Sequence, residues 1–310
     1  TIFEGTSEAL TLPNSIANIA FPLLAKLITG ENTLYSLKAY RFSIAWTRIL
    51  PEGTGEVNQK GIDFYNSLID ELLKYNITPY ITLYHWDLPY ALYLRGGWLN
   101  PESSTWFENY TRVVAKAFGD RVKNFITFNE PSVFVGCGMN QGSHAPGVKL
   151  GRRDLLNAGF NIHLSHGKAV GVLKELIPDS NVGITFATTA VIPVTPADEQ
   201  AAYDSYFGCG KEAFWWNDSY WADPIVLGKY PENLCKECAD IMPKITDDDM
   251  KIISRKIDFI GVNIYIGRYV GDYQRKPGTP HTEIGWDVFD KALKCRTRLS
   301  NPNVQWHTRN

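Results

Sequence analysis

Between Lys38 and Val270 short β-rich apolar runs alternate with segments of helical period, and that alternation predicts a parallel sheet joined by crossover helices. Residues 39–46, 79–84, 122–128, 182–187 and 257–265 predict strands, most of them bounded by Gly, Pro, Asn or Asp. In 61–75 the residues Ile62, Tyr65, Ile69 and Leu72 share one helical face, and in 103–118 Trp106, Tyr110, Val113 and Ala117 do the same. Residues 155–176 predict a third helix, stopped by Pro178. Thr246 predicts the cap of a fourth, because Asp247, Asp248 and Asp249 favour the positive end of a helix dipole. The apolar stretch 16–28 contains Lys26, has no basic leader and is too short to span a bilayer, so it predicts a core helix.

No repeat, low-complexity tract or linker divides the chain, which predicts one domain over 1–310 with atypical ends at 1–35 and 295–310. Five to six strands are recognisable where a closed (β/α)8 barrel needs eight, so the predicted fold class is α/β, a TIM-barrel type that is incomplete in this chain. A net charge of −2 over 310 residues excludes the basic stripe of a nucleic-acid binder and the polybasic patch of a membrane-surface protein. Aromatic residues make up 13% of the chain, enough to line a core and still present flat faces to sugar rings.

Five cysteines, Cys137, Cys209, Cys235, Cys238 and Cys295, form an odd and scattered set that predicts a reducing, cytoplasmic setting. Cys235-Lys236-Glu237-Cys238 has the gap of a zinc knuckle but no second pair follows, and His163 and His166 have no partner motif. Neither metal nor cofactor is expected.

Polar or aromatic residues recur at the carboxyl ends of the predicted strands: Arg41, then His85-Trp86-Asp87, then Asn129-Glu130, then Asn263 and Tyr265. In a parallel barrel those ends converge on one face, so residues distant in sequence share a pocket. Glu130 closes the apolar run 122–128 and is followed by Pro131, a placement suited to a rigidly held proton donor.

The segments Tyr40-Arg41-Phe42-Ser43-Ile44-Ala45-Trp46, Tyr84-His85-Trp86-Asp87-Leu88-Pro89, Thr127-Phe128-Asn129-Glu130-Pro131 and Asp258-Phe259-Ile260-Gly261-Val262-Asn263-Ile264-Tyr265 resemble those of glycoside hydrolase family 1, the β-glucosidases and their relatives. The resemblance runs over about 36–294. It implies that Glu130 is the general acid/base of a retaining β-glycosidase, with a small β-glucoside or oligosaccharide as substrate. Such an acid needs a pKa raised toward neutrality, which burial near a second carboxylate supplies. The resemblance further implies that Asn129 holds the sugar 2-hydroxyl and that His85 and Trp86 bind the glycone. Arg41 and Tyr265 would support the nucleophile, and Trp286 would lie under the leaving group.

Retaining chemistry needs a second carboxyl about 5 to 5.5 Å from the first. The family places it in a Thr-Glu-Asn-Gly segment of the seventh strand, and the sequence contains no such segment. Glu199 and Glu283 lie in no strand-end motif, and Ile2-Phe3-Glu4-Gly5-Thr6-Ser7 is at most a remnant of the family's first strand. Arg41 without its carboxylate is then expected to be a buried, unpaired charge, at a cost of about 3 to 5 kcal/mol. An incomplete barrel also leaves sheet edges open to pairing with another chain, which admits an oligomer. The alternative expectation is a sugar-binding relative without catalysis.

Overall fold

The computed structural model describes residues 38–271. The expectations for 1–35, 272–310, Trp286, Glu283 and Cys295 lie outside them. Five strands form one sheet: β1 (Ala39–Ser43), β2 (Thr78–Tyr84), β3 (Asn124–Asn129), β4 (Asn181–Pro193) and β5 (Phe259–Val270), in the order β1-β2-β3-β4-β5. The first three pairings are parallel. Along β4 and β5 residue numbers ascend together, from the Asp258 N–H on the Val182 carbonyl at 2.8 Å to the Val194 N–H on that of Val270 at 2.9 Å. A doubly wound sheet reverses its strand order at a switch point, whereas this order never reverses; it is that of consecutive rungs of a (β/α)8 barrel.

The four expected helices are present as α1 (Gln59–Lys74), α2 (Ser103–Phe118), α3 (Arg152–Leu176) and α4 (Asp247–Ile253). Helix α1 buries Ile62, Tyr65, Leu68, Ile69 and Leu72 on one face and stops where Asn76 turns left-handed at φ 57°, a conformation Asn tolerates better than most residues. Helix α4 opens with a capping box: the Asp249 N–H donates to the Thr246 hydroxyl at 3.2 Å, and the Thr246 N–H donates to the Asp249 carboxylate at 2.9 Å.

Three strands, β1, β4 and β5, end several residues away from the expected limit. The first strand ends at Ser43 rather than Trp46, because the Trp46 N–H is taken by the Asp87 carboxylate at 2.8 Å and its ring stacks on Tyr110 at 4.8 Å, starting a short helix Trp46–Ile49. Strands β4 and β5 run on to Pro193 and Val270, since the β-branched Thr188, Thr189, Val191 and Ile192 keep an extended backbone where the apolar run has ended. The chain divides into two compact units. One takes residues up to Ala187 and Cys209–Asn263, and the other takes Thr188–Gly208 and the residues from Ile264.

In the first unit an aromatic layer fills the space between β1–β3 and α2. Phe107 of α2 stacks on Phe128 of β3 at 4.5 Å, and Tyr84 meets Trp98 edge-on at 5.2 Å. Strand β3 carries one extra residue against β4, since Ile126 pairs with Gly183 but Asn129 pairs with Thr185. Successive residues Thr127 and Phe128 therefore both face the helices, Thr127 on His166 of α3 at 2.7 Å and Phe128 on Phe107. A bulge of this kind re-aims the side chains beyond it, and here it turns Asn129 to the opposite face. Gly261 of β5 is required beside it, because a Cβ there would lie 2.5 Å from the Thr185 hydroxyl.

His163 and His166 of α3 are fully packed. The His163 ring bonds to the Tyr230 hydroxyl at 2.9 Å and His166 to Thr127. Burial pushes both imidazoles down to about 3. An unfolded His protonates near 6.5, so the unfolded chain takes up protons first and the stability from these neutral rings, complete above that value, is lost as pH falls toward 3. Urea midpoints should fall steadily between pH 6.5 and 4. In His166→Leu the slope should be shallower, by up to about 1.4 kcal/mol per pH unit. Phe107→Ala should destabilise the chain at neutral pH by about 3 to 5 kcal/mol in urea titration, the cost of an aromatic cavity.

Candidate active site

Asn129 and Glu130 leave β3 at its carboxyl end and are 1% and 3% exposed. Glu130 adopts φ 50° and ψ 65°, a left-handed conformation that costs a non-glycine residue about 1 to 3 kcal/mol unless its surroundings fix it. Three features fix it. Its N–H donates to the Thr185 carbonyl at 2.7 Å, Pro131 follows at the first position of a short helix, and the Asn263 amide donates to its carboxylate at 2.5 Å. Although Glu130 holds the N-cap position of that helix, its side chain makes no capping bond, so the carboxyl serves something other than the helix end.

The Asn129 side chain is the junction of the cluster. Its Oδ1 accepts from Arg41 Nη2 at 2.6 Å and from Asn263 Nδ2 at 3.3 Å, while its Nδ2 faces His85 Nε2 at 3.2 Å. A guanidinium can only donate, so Oδ1 is the acceptor and Nδ2 the donor. His85 Nε2 must then accept, which leaves the ring proton on Nδ1. Burial lowers the His85 pKa, the Arg41 charge lowers it further, and Glu130 opposes them.

Trp86 stands at φ 82° and spends its indole N–H on the Asn129 carbonyl at 2.8 Å, so the ring face rather than the nitrogen remains for a ligand. Asp87, half-buried behind it, accepts the Trp46 and His85 backbone N–H groups at 2.8 and 3.4 Å; desolvation pushes its carboxyl up to about 6.

Arg41, His85, Trp86, Asn129 and Glu130 are thus brought together. Arg41 differs from its expected state: it is exposed rather than buried, and its guanidinium also donates to the Thr82 hydroxyl at 2.8 Å. Tyr265 belongs to the second compact unit, where it is 75% exposed. Glu199 begins the helix Glu199–Phe207 of that same unit. Asn263 reads in the sequence only as a polar strand end, and Thr82 and Thr185 give no signal there, because alternation within a strand marks an inward position without marking its partner.

A buried carboxyl beside an amide junction at the ends of parallel strands can give or take a proton, and residues 32–308 match the family model described as glycosyl hydrolase family 1. The chain belongs to that family. Among similar family 1 members, the 1,4-β-D-glucan glucohydrolase of Thermotoga neapolitana is 41% identical over 83% of this chain and 61% of its own length. β-Glucosidase A of Thermotoga maritima is 42% identical over 86% and 62%. The structure of the Thermotoga maritima β-glucosidase in complex with noeuromycin superposes with a TM-score of 0.71 and 39% identity, covering 92% of this chain and 64% of that one. The chain therefore spans about three fifths of the length of these family 1 relatives.

Nitrogen-detected NMR of His85 should show the Nδ1–H tautomer at pH 7, with protonation of Nε2 only below the ordinary histidine value of 6.5. Because the lowered pKa keeps the acceptor free above that range, acidification should break the contact with Asn129. An Nε2–H signal at pH 7 would contradict the orientation deduced for Asn129.

Proposed function

We propose that this chain carries the acid/base half of a retaining β-glycosidase of the β-glucosidase type, acting on terminal β-linked glucosyl residues. The observation that supports it most is the buried Glu130 carboxyl held by Asn263 and placed beside Asn129 in a family 1 chain. Glu130 protonates the glycosidic oxygen as the bond breaks, then removes a proton from the attacking water. Asn129 hydrogen-bonds the 2-hydroxyl, His85 donates from Nδ1 to a glycone hydroxyl, and Trp86 offers its ring face. In the same reading the family resemblance gives Arg41 and Tyr265 the task of keeping the nucleophile ionised and gives Trp286 that of serving the leaving group.

The names of the relatives support a glucoside as substrate, since a glucan glucohydrolase and a β-glucosidase are each about two fifths identical to this chain. The odd and scattered cysteine set supports a reducing, cytoplasmic setting. Among the described residues no helix is long and apolar enough to cross a membrane.

The test is hydrolysis of an aryl β-glucoside by the 310-residue chain and by its Glu130→Gln variant. Where a second carboxyl is within reach of Glu130 the chain should release product, and the variant should then lower kcat/KM by about 10²- to 10⁴-fold, the usual contribution of a positioned acid/base. Turnover unaffected by the substitution would reject the assignment of Glu130. Binding of deoxynojirimycin without any turnover would mean that the 310 residues hold the sugar pocket but no second carboxyl in reach.

A further inference from the structure

Asp87 is half-buried in the turn that presents His85 and Trp86. Its two oxygens are divided between two separate stretches of backbone. Oδ2 accepts from the N–H of Trp46, the first residue of the short helix after β1, and Oδ1 accepts from the N–H of His85 at the end of β2. Trp86 lies between His85 and Asp87 with φ at 82°, a conformation a bulky side chain rarely adopts. Such a conformation persists only where neighbouring contacts over-determine it.

The other ends of the turn are tied as well. The indole N–H of Trp86 reaches the Asn129 carbonyl at 2.8 Å, and His85 meets the Asn129 amide at 3.2 Å. The Ala45 N–H, just before Trp46, is taken by the Tyr65 hydroxyl at 2.7 Å, and the Tyr110 hydroxyl lies 2.9 Å from the Leu83 carbonyl and 3.3 Å from that of Ile44. Tyr110 has a single proton to share between two strand ends, whereas Asp87 has a separate oxygen for each of its two donors. An ionised carboxylate is acceptor-only, which suits two converging N–H groups; an amide in its place would turn its own N–H groups toward one of them.

We propose that Asp87 is a positioning residue: its carboxylate clamps the end of β2 to the helix start after β1, and this clamp holds Trp86 left-handed so that Trp86 and His85 face Asn129 and Glu130. The role deepens the glycosidase reading and rests on it for the identity of the ligand, although the clamp itself acts on the backbone. Partial burial stands behind the same arrangement, since it limits the water that competes with the carboxylate for the Trp46 N–H.

The experiment compares the full chain with Asp87→Ala and Asp87→Asn. The contribution of Trp86 to near-UV circular dichroism is isolated by subtracting the spectrum of the matching Trp86→Phe variant in each background, and deoxynojirimycin affinity is measured by calorimetry. With the clamp removed in Asp87→Ala, the Trp86 band should largely vanish and the Kd should rise at least tenfold while far-UV dichroism stays unchanged. Asp87→Asn should lie between the two and carries the test if the alanine variant does not fold. A Trp86 band of full size with affinity within twofold of the parent chain would overturn the role, because a residue needed only for stability would shift the urea midpoint and nothing else. Failure of the unsubstituted chain to bind deoxynojirimycin would sink the sugar reading, and the circular dichroism comparison would still decide the clamp.

Discussion

The Asn129 amide is the constraint on which the site depends. Three strands other than its own send a side chain to it, with Arg41 from β1, His85 from the end of β2 and Asn263 from β5. An amide has two distinct ends, so these partners are not interchangeable. The donor-only guanidinium sets which end faces it, and that choice propagates to the protonation of His85. A carboxamide here converts the fixed geometry of a parallel sheet into a fixed pattern of donors and acceptors.

Strain is gathered at the same place. Trp86 and Glu130 both hold left-handed backbone without being glycine, and both sit within the hydrogen-bonded cluster. The opposing layer explains how this is tolerated: Trp46, Tyr84, Trp98, Phe107, Tyr110 and Phe128 pack ring against ring on the helix side, a well-filled base against which the strand ends can be bent. The stability of that layer and the unfavourable geometry of the site are two sides of one sheet.

Much of this was legible in the sequence. The alternation of β-rich runs with helical period located five strands and three helices, because amphipathic faces such as Ile62, Tyr65, Ile69 and Leu72 leave an unmistakable spacing, and the cap at Thr246 located a fourth helix. The strand-end motifs marked Arg41, His85, Asn129 and Glu130 as companions. What sequence could not convey was long-range competition for backbone groups. Trp46 reads as the end of a strand until Asp87, forty-one residues later, takes its N–H. Arg41 reads as a buried charge until its exposure and its neutral acceptors Thr82 and Asn129 are seen. The extra residue of β3 is invisible for the same reason, since Thr127 and Phe128 face one side only because His166 and Phe107 are both there to receive them.

That extra residue has a consequence for how such a chain can change. Between Ile126 and Pro131 the orientation of each side chain is decided by counting along the backbone, so replacing one residue type by another alters a contact, whereas inserting or deleting one would exchange inside for outside and swing the carboxyl of Glu130 into the aromatic layer. Variation in this stretch is therefore open to chemistry and closed to length.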